Sequence, residues 1–390
     1  MAHVLGENAP PKQWMHRRDH RKSQAQLGTR GGEKSCRGVK KLGREKKSLR
    51  RYRSWKKGVQ DVLTHSSTLV ELPQTNPHCD LQFSRATEED FEEILSISKD
   101  IYEGLDYLPS RYGAWLQDPH RMVILARKQG KVIALQSVCV IDDGQTALVE
   151  GLRVAPQERG KGVARVLLKF CSQMVKSRYP GVKVSRLTRD DPLGPRDLQK
   201  YQLIAKQGIL LFEFQAEKLR QRLADLGSEL GTVQMGRPVR LGPEELQRLL
   251  LNEDVARDIL PSGTIVQDWQ PFRLLPGNVQ MLLQREVDWM ADDMLRPTVL
   301  SLCSAPFLVP LSLGCHCLTI DIFGRAQEPV QQQVLAHLEH STHSLIGRVV
   351  CQMFLAPPLW ELLANFCCGT LGAELVKGYS EQYVVQADLV

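Results

Sequence analysis

The sequence has no Cys-x-x-Cys pair, no apolar run near its start of the kind that opens a secreted chain, and no Gly-x4-Gly-Lys-[Ser/Thr] phosphate loop. Several of its ten cysteines (36, 79, 139, 171, 303, 315, 317, 351, 367 and 368) stand inside apolar runs, as in Val138-Cys139-Val140 and Phe170-Cys171. Thiols so placed, with no secretory signal, read as reduced and buried in a cytoplasmic protein, or a nuclear one given its basic tail. Cys303, Cys315, His316 and Cys317 are residue types that hold zinc, but their spacing is that of no familiar finger, and no metal is expected. The missing phosphate loop sets aside the nucleotide hydrolases built on it.

One segment lacks charge altogether. From Pro297 to Ile320 there is no Asp, Glu, Lys or Arg, a length that can cross a bilayer. Pro306, Pro310 and Gly314 break a helix there, so the segment is read as two short buried strands and no membrane span is expected.

Acidic residues are scarce only at the beginning. The net charge is +7, yet residues 1–60 hold 18 Lys/Arg against 4 Asp/Glu, and the remaining 330 hold 33 against 40. The basic excess belongs to a tail with few large apolar residues, which cannot bury enough surface to order itself. Its residues 12–57, with Tyr52 and Trp55 among the cations, could take nucleic acid, an anionic membrane or an acidic partner; the plainer expectation is a solvated tail. Residues 61–78 read as a linker. The organisation expected is a basic tail and linker over 1–78, a first α/β domain over 79–216 and a second over 217–390.

From Leu81 onward the pattern turns regular. A strand at Leu81–Phe83 precedes a helix over Phe91–Ile101, started by Thr87 and acids at 88–90, and a shorter helix lies around 110–117. Three strands follow, Met122–Arg127, Val132–Ile141 and Thr146–Val154, with Asp143-Gly144 predicting a two-residue turn between the last two. A helix from Val163 to about Lys176, a strand at Val182–Thr188, a helix over Pro195–Lys206 and a strand at Gly208–Phe214 complete a mixed, mostly antiparallel sheet flanked by helices. The end of the chain again runs strand, helix, strand, strand from Val349, as a divergent copy of the first half without its glycines.

Those glycines carry the chemistry. In Arg153-Val-Ala-Pro-Gln-Glu-Arg-Gly-Lys-Gly-Val-Ala164 a strand hands over to an amphipathic helix. Backbone N–H groups at a helix start have no partner inside the helix and attract anions. A diphosphate approaches them only where side chains are absent, which Gly160, Gly162 and Ala164 provide, while Arg159 and Lys161 add charge.

The pattern Arg159-Gly160-Lys161-Gly162-Val163-Ala164 resembles the [Gln/Arg]-x-x-Gly-x-[Gly/Ala] signature of the GNAT superfamily of N-acetyltransferases, over roughly Leu81 to Phe214. The stretches IYEGLDYLPSRYGAWLQDP, LVEGLRVAPQERGKGVA, TIVQDWQPFR and LVKGYSEQYV resemble the vertebrate histidine N-acetyltransferase family, from about residue 81 to the end. The resemblance implies a GNAT fold with a possible degenerate second GNAT-like unit. It implies acetyl-CoA as cosubstrate, with its pyrophosphate on residues 159–164 and its pantetheine arm along the strand edge at Leu152 and Val154. It also implies a free amino acid, L-histidine first, as acceptor. An acetyltransferase on a protein or peptide amine, and a catalytically weak relative that binds through the basic tail, are the other readings.

An ammonium must lose a proton before it attacks a thioester. Glu150 is the one acid on its strand, in an apolar run that favours a basic carboxylate; its alternative is an ion pair with Arg153 or Arg186. The resemblance implies a tyrosine acid on the helix before the last strand. By register from Gly208 that place is Ile204, so the role passes to Tyr201, three residues earlier. Asp106, Tyr107 and Arg111 fall in the region that covers the acceptor site in the superfamily, and an Arg fork fits an amino-acid carboxylate. Arg153, Arg186 and Arg189 are further candidates. Gln136, where the family tends to have an acid, lies roughly across the hairpin from Glu150 and is taken as a substrate contact. Trp269, Tyr379 and Tyr383 are expected to pack rather than bind.

Overall fold

The computed structural model describes residues 81–99, 101–229, 237–311 and 314–389. The basic tail and linker expected over 1–78, with Tyr52 and Trp55, lie outside these residues.

Strand β1 (Leu81–Arg85) leads into a helical turn whose start follows the expected device. The Asp90 carboxylate accepts from the Thr87 N–H at 2.8 Å and from its hydroxyl at 3.1 Å, satisfying a donor that the helix itself leaves free. Helices α1 (Phe91–Ile97) and α2 (Leu108–Gln117) follow. The meander of β2 (Arg121–Lys128), β3 (Lys131–Ile141) and β4 (Thr146–Val154) then forms within a residue or so of its expected bounds. The β3–β4 turn differs. Ile141 pairs with Thr146, which leaves four residues in the loop rather than two. Asp142 is fully buried there and is held by Thr146 at 2.8 Å, Asn278 at 2.6 Å and Arg186 at 2.9 Å. These bonds draw Asp142 out of the strand and into the turn.

Helix α3 (Val163–Arg178), strand β5 (Val184–Arg189), helix α4 (Pro195–Lys200) and strand β6 (Gln202–Gln215) finish the first half. The helix read over Pro195–Lys206 stops at Lys200, and Tyr201 is already extended at φ −118°, ψ 140°. Residues 202–207 join the strand because partners on the sheet pair with them, and such pairing overrides local helical preference.

The second half holds α5 (Ala216–Glu229), β7 (Val239–Arg240), α6 (Pro243–Leu250), α7 (Glu253–Asp258), the hairpin of β8 (Thr264–Gln267) and β9 (Gln270–Arg273), and α8 (Pro276–Leu283). It continues through β10 (Val287–Ala291), β11 (Val299–Leu308), β12 (His316–Gly324), α9 (Gln327–Thr342), β13 (Arg348–Leu355), α10 (Trp360–Asn365), β14 (Glu374–Leu375) and β15 (Ser380–Asp388). The charge-free segment thus becomes β11 and the start of β12. No helix among the described residues is long and apolar enough to cross a membrane.

One sheet runs through both halves, in the order β1-β2-β3-β4-β5-β15-β6-β13-β12-β11-β10-β7. Each half contributes an antiparallel meander followed by a parallel pair, β4 with β5 and β12 with β13. The strand that should close each half has changed sides. β15, the last strand of the second half, pairs with β5, and β6, the last of the first, pairs with β13. The boundary expected at 216/217 therefore marks no gap in the hydrogen bonding. A shared core has the same effect, with Cys139, Ile141 and Leu148 packing against Leu246, Ile265, Phe272 and Trp289.

Residues 79–216 alone would lack β13 and β15, the neighbours of β6 on both sides. Expressed as a fragment, they are expected to show no cooperative thermal transition by circular dichroism, whereas the full chain melts cooperatively. A cooperative melt of the fragment would mean that β5 and β6 can pair directly.

Candidate active site

β4 and β5 run side by side only from Thr146–Leu148 against Val184–Arg186. Beyond Leu148 they separate, because β5 follows β15 along its other edge. Residues 149–154 of β4 keep one edge without a strand partner, and backbone groups on such an edge seek another partner. Leu152 is 39% exposed on this stretch. The carbonyl of Val154 is taken by Arg159 Nε at 3.1 Å, so the loop's own arginine closes the far end of the edge.

Gly160 and Gly162 have φ of 76° and 84°, a region that side chains rarely enter. A Cβ at either position would meet no protein atom within 4 Å. Gly162 caps the 16-residue α3, whose first N–H groups face this open space. Val163 is buried beneath the loop and Ala164 half-buried. Glu158 holds Lys161 at 3.4 Å and Lys128 at 3.5 Å, keeping both cations beside the loop. Backbone donors, free volume and positive charge together fit a diphosphate, and the open β4 edge fits an extended amide-bearing arm. Among the described residues, the second half offers no counterpart. β12 and β13 pair without separation from His316–Asp321 to Val349–Phe354, and a Cβ at Gly324 would collide with the Thr298 carbonyl.

The open edge leads into a cavity of about 500 Å³, within the roughly 300–1,000 Å³ usual for small-molecule sites. Tyr107, Arg111 and Trp115 of the α2 region form one wall, and Glu150, Gly151 and Leu152 of β4 another. The tip of the β8–β9 hairpin, Asp268-Trp269-Gln270, closes it from the second half.

Glu150 is an anchored carboxylate. It is ion-paired with Arg121, and Gln270 Nε2 donates to both of its oxygens at 3.1 Å. Arg121 is also bonded to Ser137 at 2.7 Å and lies over the Trp115 ring at 4.6 Å. Burial works against the Arg121 charge, but Glu150, Cys139 and Asp118 together outweigh it and hold the guanidinium above its ordinary pKa. The expected partners of Glu150 are engaged elsewhere. Arg153 pairs with Asp106 at 2.7 Å and Arg186 with Asp142 at 2.9 Å.

Arg111 meets Asp268 at 2.8 Å and lies over the rings of Tyr107 and Phe307. Burial raises the Asp268 carboxyl above its usual pKa despite Arg111. Burial, with Tyr102 and Glu150 nearby, raises the Tyr107 phenol well above its own.

Three expected site residues do not reach the cavity. Asp106 is 3% exposed, and its carboxylate accepts from the Leu108 N–H at 3.0 Å and from Arg153; it caps α2 and pins it to β4. Gln136 is fully buried opposite a β-bulge in β4, with its Nε2 on the carbonyls of Ser137 at 2.7 Å and Glu150 at 2.8 Å. Both acceptors are backbone oxygens, so a carboxylate here would meet like partial charges. Tyr201 does not line the cavity, and Lys200 lies over its ring at 4.7 Å. Tyr379 and Tyr383 both donate to Glu381, at 2.6 and 2.5 Å, and lie outside it too. Trp269 and Arg189 do line it.

Sequence reasoning passed over Asp268, Gln270 and Arg121. A signal was present in Asp268-Trp269-Gln270, a polar interruption between Ile265-Val266 and Pro271-Phe272. Asp268 has a φ of 60°, as hairpin tips often require of Asp.

Gly162→Asp would place bulk and negative charge in the open cradle. It is expected to weaken acetyl-CoA binding by about tenfold or more, the effect of roughly 1.4 kcal/mol of repulsion, as measured by calorimetric titration. Unchanged affinity would remove the loop from the site.

Comparison with known proteins places these features in a family. Residues 87–193 match the family described as Acetyltransferase (GNAT) family, and residues 234–356 the one described as Histidine N-acetyltransferase, C-terminal. The chain is 58% identical over 332 residues to a histidine N-acetyltransferase of Oreochromis niloticus, covering 83% of this chain and 98% of that one. It is 50% identical over 311 residues to the histidine N-acetyltransferase of Xenopus tropicalis, covering 80% and 96%. A human protein named probable N-acetyltransferase 16 is 53% identical over 320 residues, covering 79% and 86%. The fold is that of the GNAT acetyltransferases, and the chain belongs to the histidine N-acetyltransferase family.

Proposed function

We propose that this chain transfers acetyl from acetyl-CoA to the α-amine of a free amino acid, L-histidine first. The observation that carries this reading is the open β4 edge, flanked by the Gly160–Gly162 loop, leading into a cavity walled by both halves. When bound, acetyl-CoA supplies an activated thioester carbonyl. Glu103, Glu150, Asp190, Asp191 and Asp268 outnumber Arg111, Arg189 and Lys377 along the lining, a balance that favours an ammonium over an anion. Arg111 uses one nitrogen on Asp268, and its remaining fork can take the acceptor's carboxylate. The names of relatives alike over nearly their whole length support histidine as that acceptor.

Glu150 is the base in this mechanism. One of its oxygens is paired with Arg121, while the other has only the neutral Gln270 amide, which leaves lone pairs to receive the ammonium proton directly or through water. The freed amine attacks the thioester carbon, the carbon–sulfur bond breaks, and the thiolate takes up a proton. Tyr107, a half-buried tyrosine on the cavity wall, can supply it, the part expected of Tyr201, since its raised pKa keeps the phenol protonated.

Two measurements test this. Release of CoA by the purified chain, assayed across the standard amino acids and several peptides, is expected to be fastest with L-histidine. Faster turnover of another amine would move the acceptor. Glu150→Gln is expected to lower kcat by roughly 10²–10⁴-fold, the usual range for a lost base, with the affinity for acetyl-CoA unchanged. An unchanged kcat would exclude Glu150 as the base.

A further inference from the structure

The floor of the cavity comes from the second half, and its chemistry differs from that of the walls. Leu211 of β6, Gln352 of β13 and Thr319 of β12 all line it. They form a single row across three strands, since Leu211 pairs with Gln352 and Gln352 with Thr319. Alternation puts this row on the sheet face opposite the second half's main core, to which Leu318, Ile320, Cys351 and Met353 contribute. The neighbours on the cavity face are the apolar Val350, Cys317 and Phe354, with two carboxylates that have partners of their own: Asp321, which accepts from the Asp268 N–H at 2.8 Å, and Glu213, held by Arg348 at 3.1 Å.

Two uncharged polar side chains therefore stand in the floor row, and neither has a hydrogen bond of normal geometry among the described residues. Thr319 is 1% exposed, and its hydroxyl has no hydrogen-bond partner of normal geometry; the Cys317 thiol is its polar neighbour. Gln352 is half-buried, and its amide has no partner among the described residues. Buried polar groups are normally paired, and an orphan facing a cavity calls for an explanation. A ligand that fills the cavity and supplies the missing partners provides one.

We propose that Thr319 and Gln352 are specificity-determining residues that hydrogen-bond the side chain of the acceptor amino acid, so that the second half selects the substrate the first half acetylates. The proposal rests on the acceptor reading above only for the identity of that side chain. Hydroxyl and amide each donate and accept, and both are uncharged. A neutral imidazole presents one N–H and one bare nitrogen, which matches such a pair. Leucine or phenylalanine would offer the buried hydroxyl and the amide no partner, and sites of this kind reject analogues that lack the bonding group by large factors.

The test uses the full chain with Thr319→Val, Gln352→Leu and the milder Thr319→Ser, which keeps the hydroxyl. Thermal melting and acetyl-CoA affinity establish that each variant is folded and loaded. kcat/KM is then measured for L-histidine, its two ring-N-methyl derivatives, L-phenylalanine and L-leucine. Thr319→Val and Gln352→Leu are expected to lower kcat/KM for histidine by about tenfold or more and to leave the slow rates on phenylalanine and leucine unchanged or raised. The discrimination ratio then collapses, the KM for acetyl-CoA stays constant, and Thr319→Ser retains most of the ratio. A ratio unchanged in both Thr319→Val and Gln352→Leu overturns the proposal while leaving histidine acetylation intact. If the wild-type chain prefers another amine, the histidine reading fails by itself. The same ratios taken with that amine then decide this proposal: a collapse supports it and constancy overturns it.

Discussion

Everything about the site depends on the antiparallel pairing of β6 with β15 at the middle of the sheet. Ser380 to Gln386 run against Ile209 to Gln202, and each strand carries its own half's end into the other half. A sheet joined in this way cannot separate into two units without exposing two strand edges and a shared core. It also fixes the second half beside the open edge of β4, so the β8–β9 hairpin tip and the floor of β12 and β13 complete a cavity that the first half only begins. The two halves share a topology but not a role. In the first, the parallel pair separates after three residue pairs and a glycine cradle stands open. In the second, the pair stays joined for six and the corresponding glycine is packed against backbone.

The buried charges follow a common rule with two outcomes. Glu150 with Arg121, Asp268 with Arg111, Asp106 with Arg153 and Asp142 with Arg186 are each matched pairs, as buried ions must be, because removing one partner strands the other at a cost of about 3–5 kcal/mol. Asp106 and Arg153 lock the start of α2 to β4. Asp142 and Arg186 lock the β3–β4 turn to β5. These two are scaffold. The other two pairs put a carboxylate on the cavity wall, where Arg121 and Arg111 hold it in place without enclosing it. The same residue types in the same chemistry are structural or reactive according to whether a cavity passes beside them.

Much of the first half was legible in the sequence because its signals are local. Short apolar runs and the Asp143-Gly144 turn marked β2, β3 and β4, capping marked α1, and the glycine loop announced its own chemistry through Gly160, Gly162 and the helix behind them. The errors fell where distant contacts decide. Residues 202–206 carry a helical pattern but become strand because β15 pairs with them, and that removed Tyr201 from its helix. The β3–β4 turn widened because Asp142 is claimed by Asn278 and Arg186. Arg121 went unnoticed because its role depends on a strand-to-strand register, and Gln136 was misplaced because its side chain is spent on the Ser137 and Glu150 carbonyls opposite a bulge in β4.

By itself, the sequence determined the kind of loop, the element order up to β5, the acid on the third strand and the likeness to a family of acetyltransferases. These rest on periodicity, capping and glycine conformation, which act within a few residues. Only the tertiary structure decided which arginine holds Glu150, which aspartate serves the cavity and which strands make its floor. Those outcomes depend on pairings between residues up to about two hundred positions apart, such as Arg186 with Gln386, and on an exchange of strands between halves. No local pattern encodes a partner at that distance, because the chain must close the whole sheet before those side chains can meet.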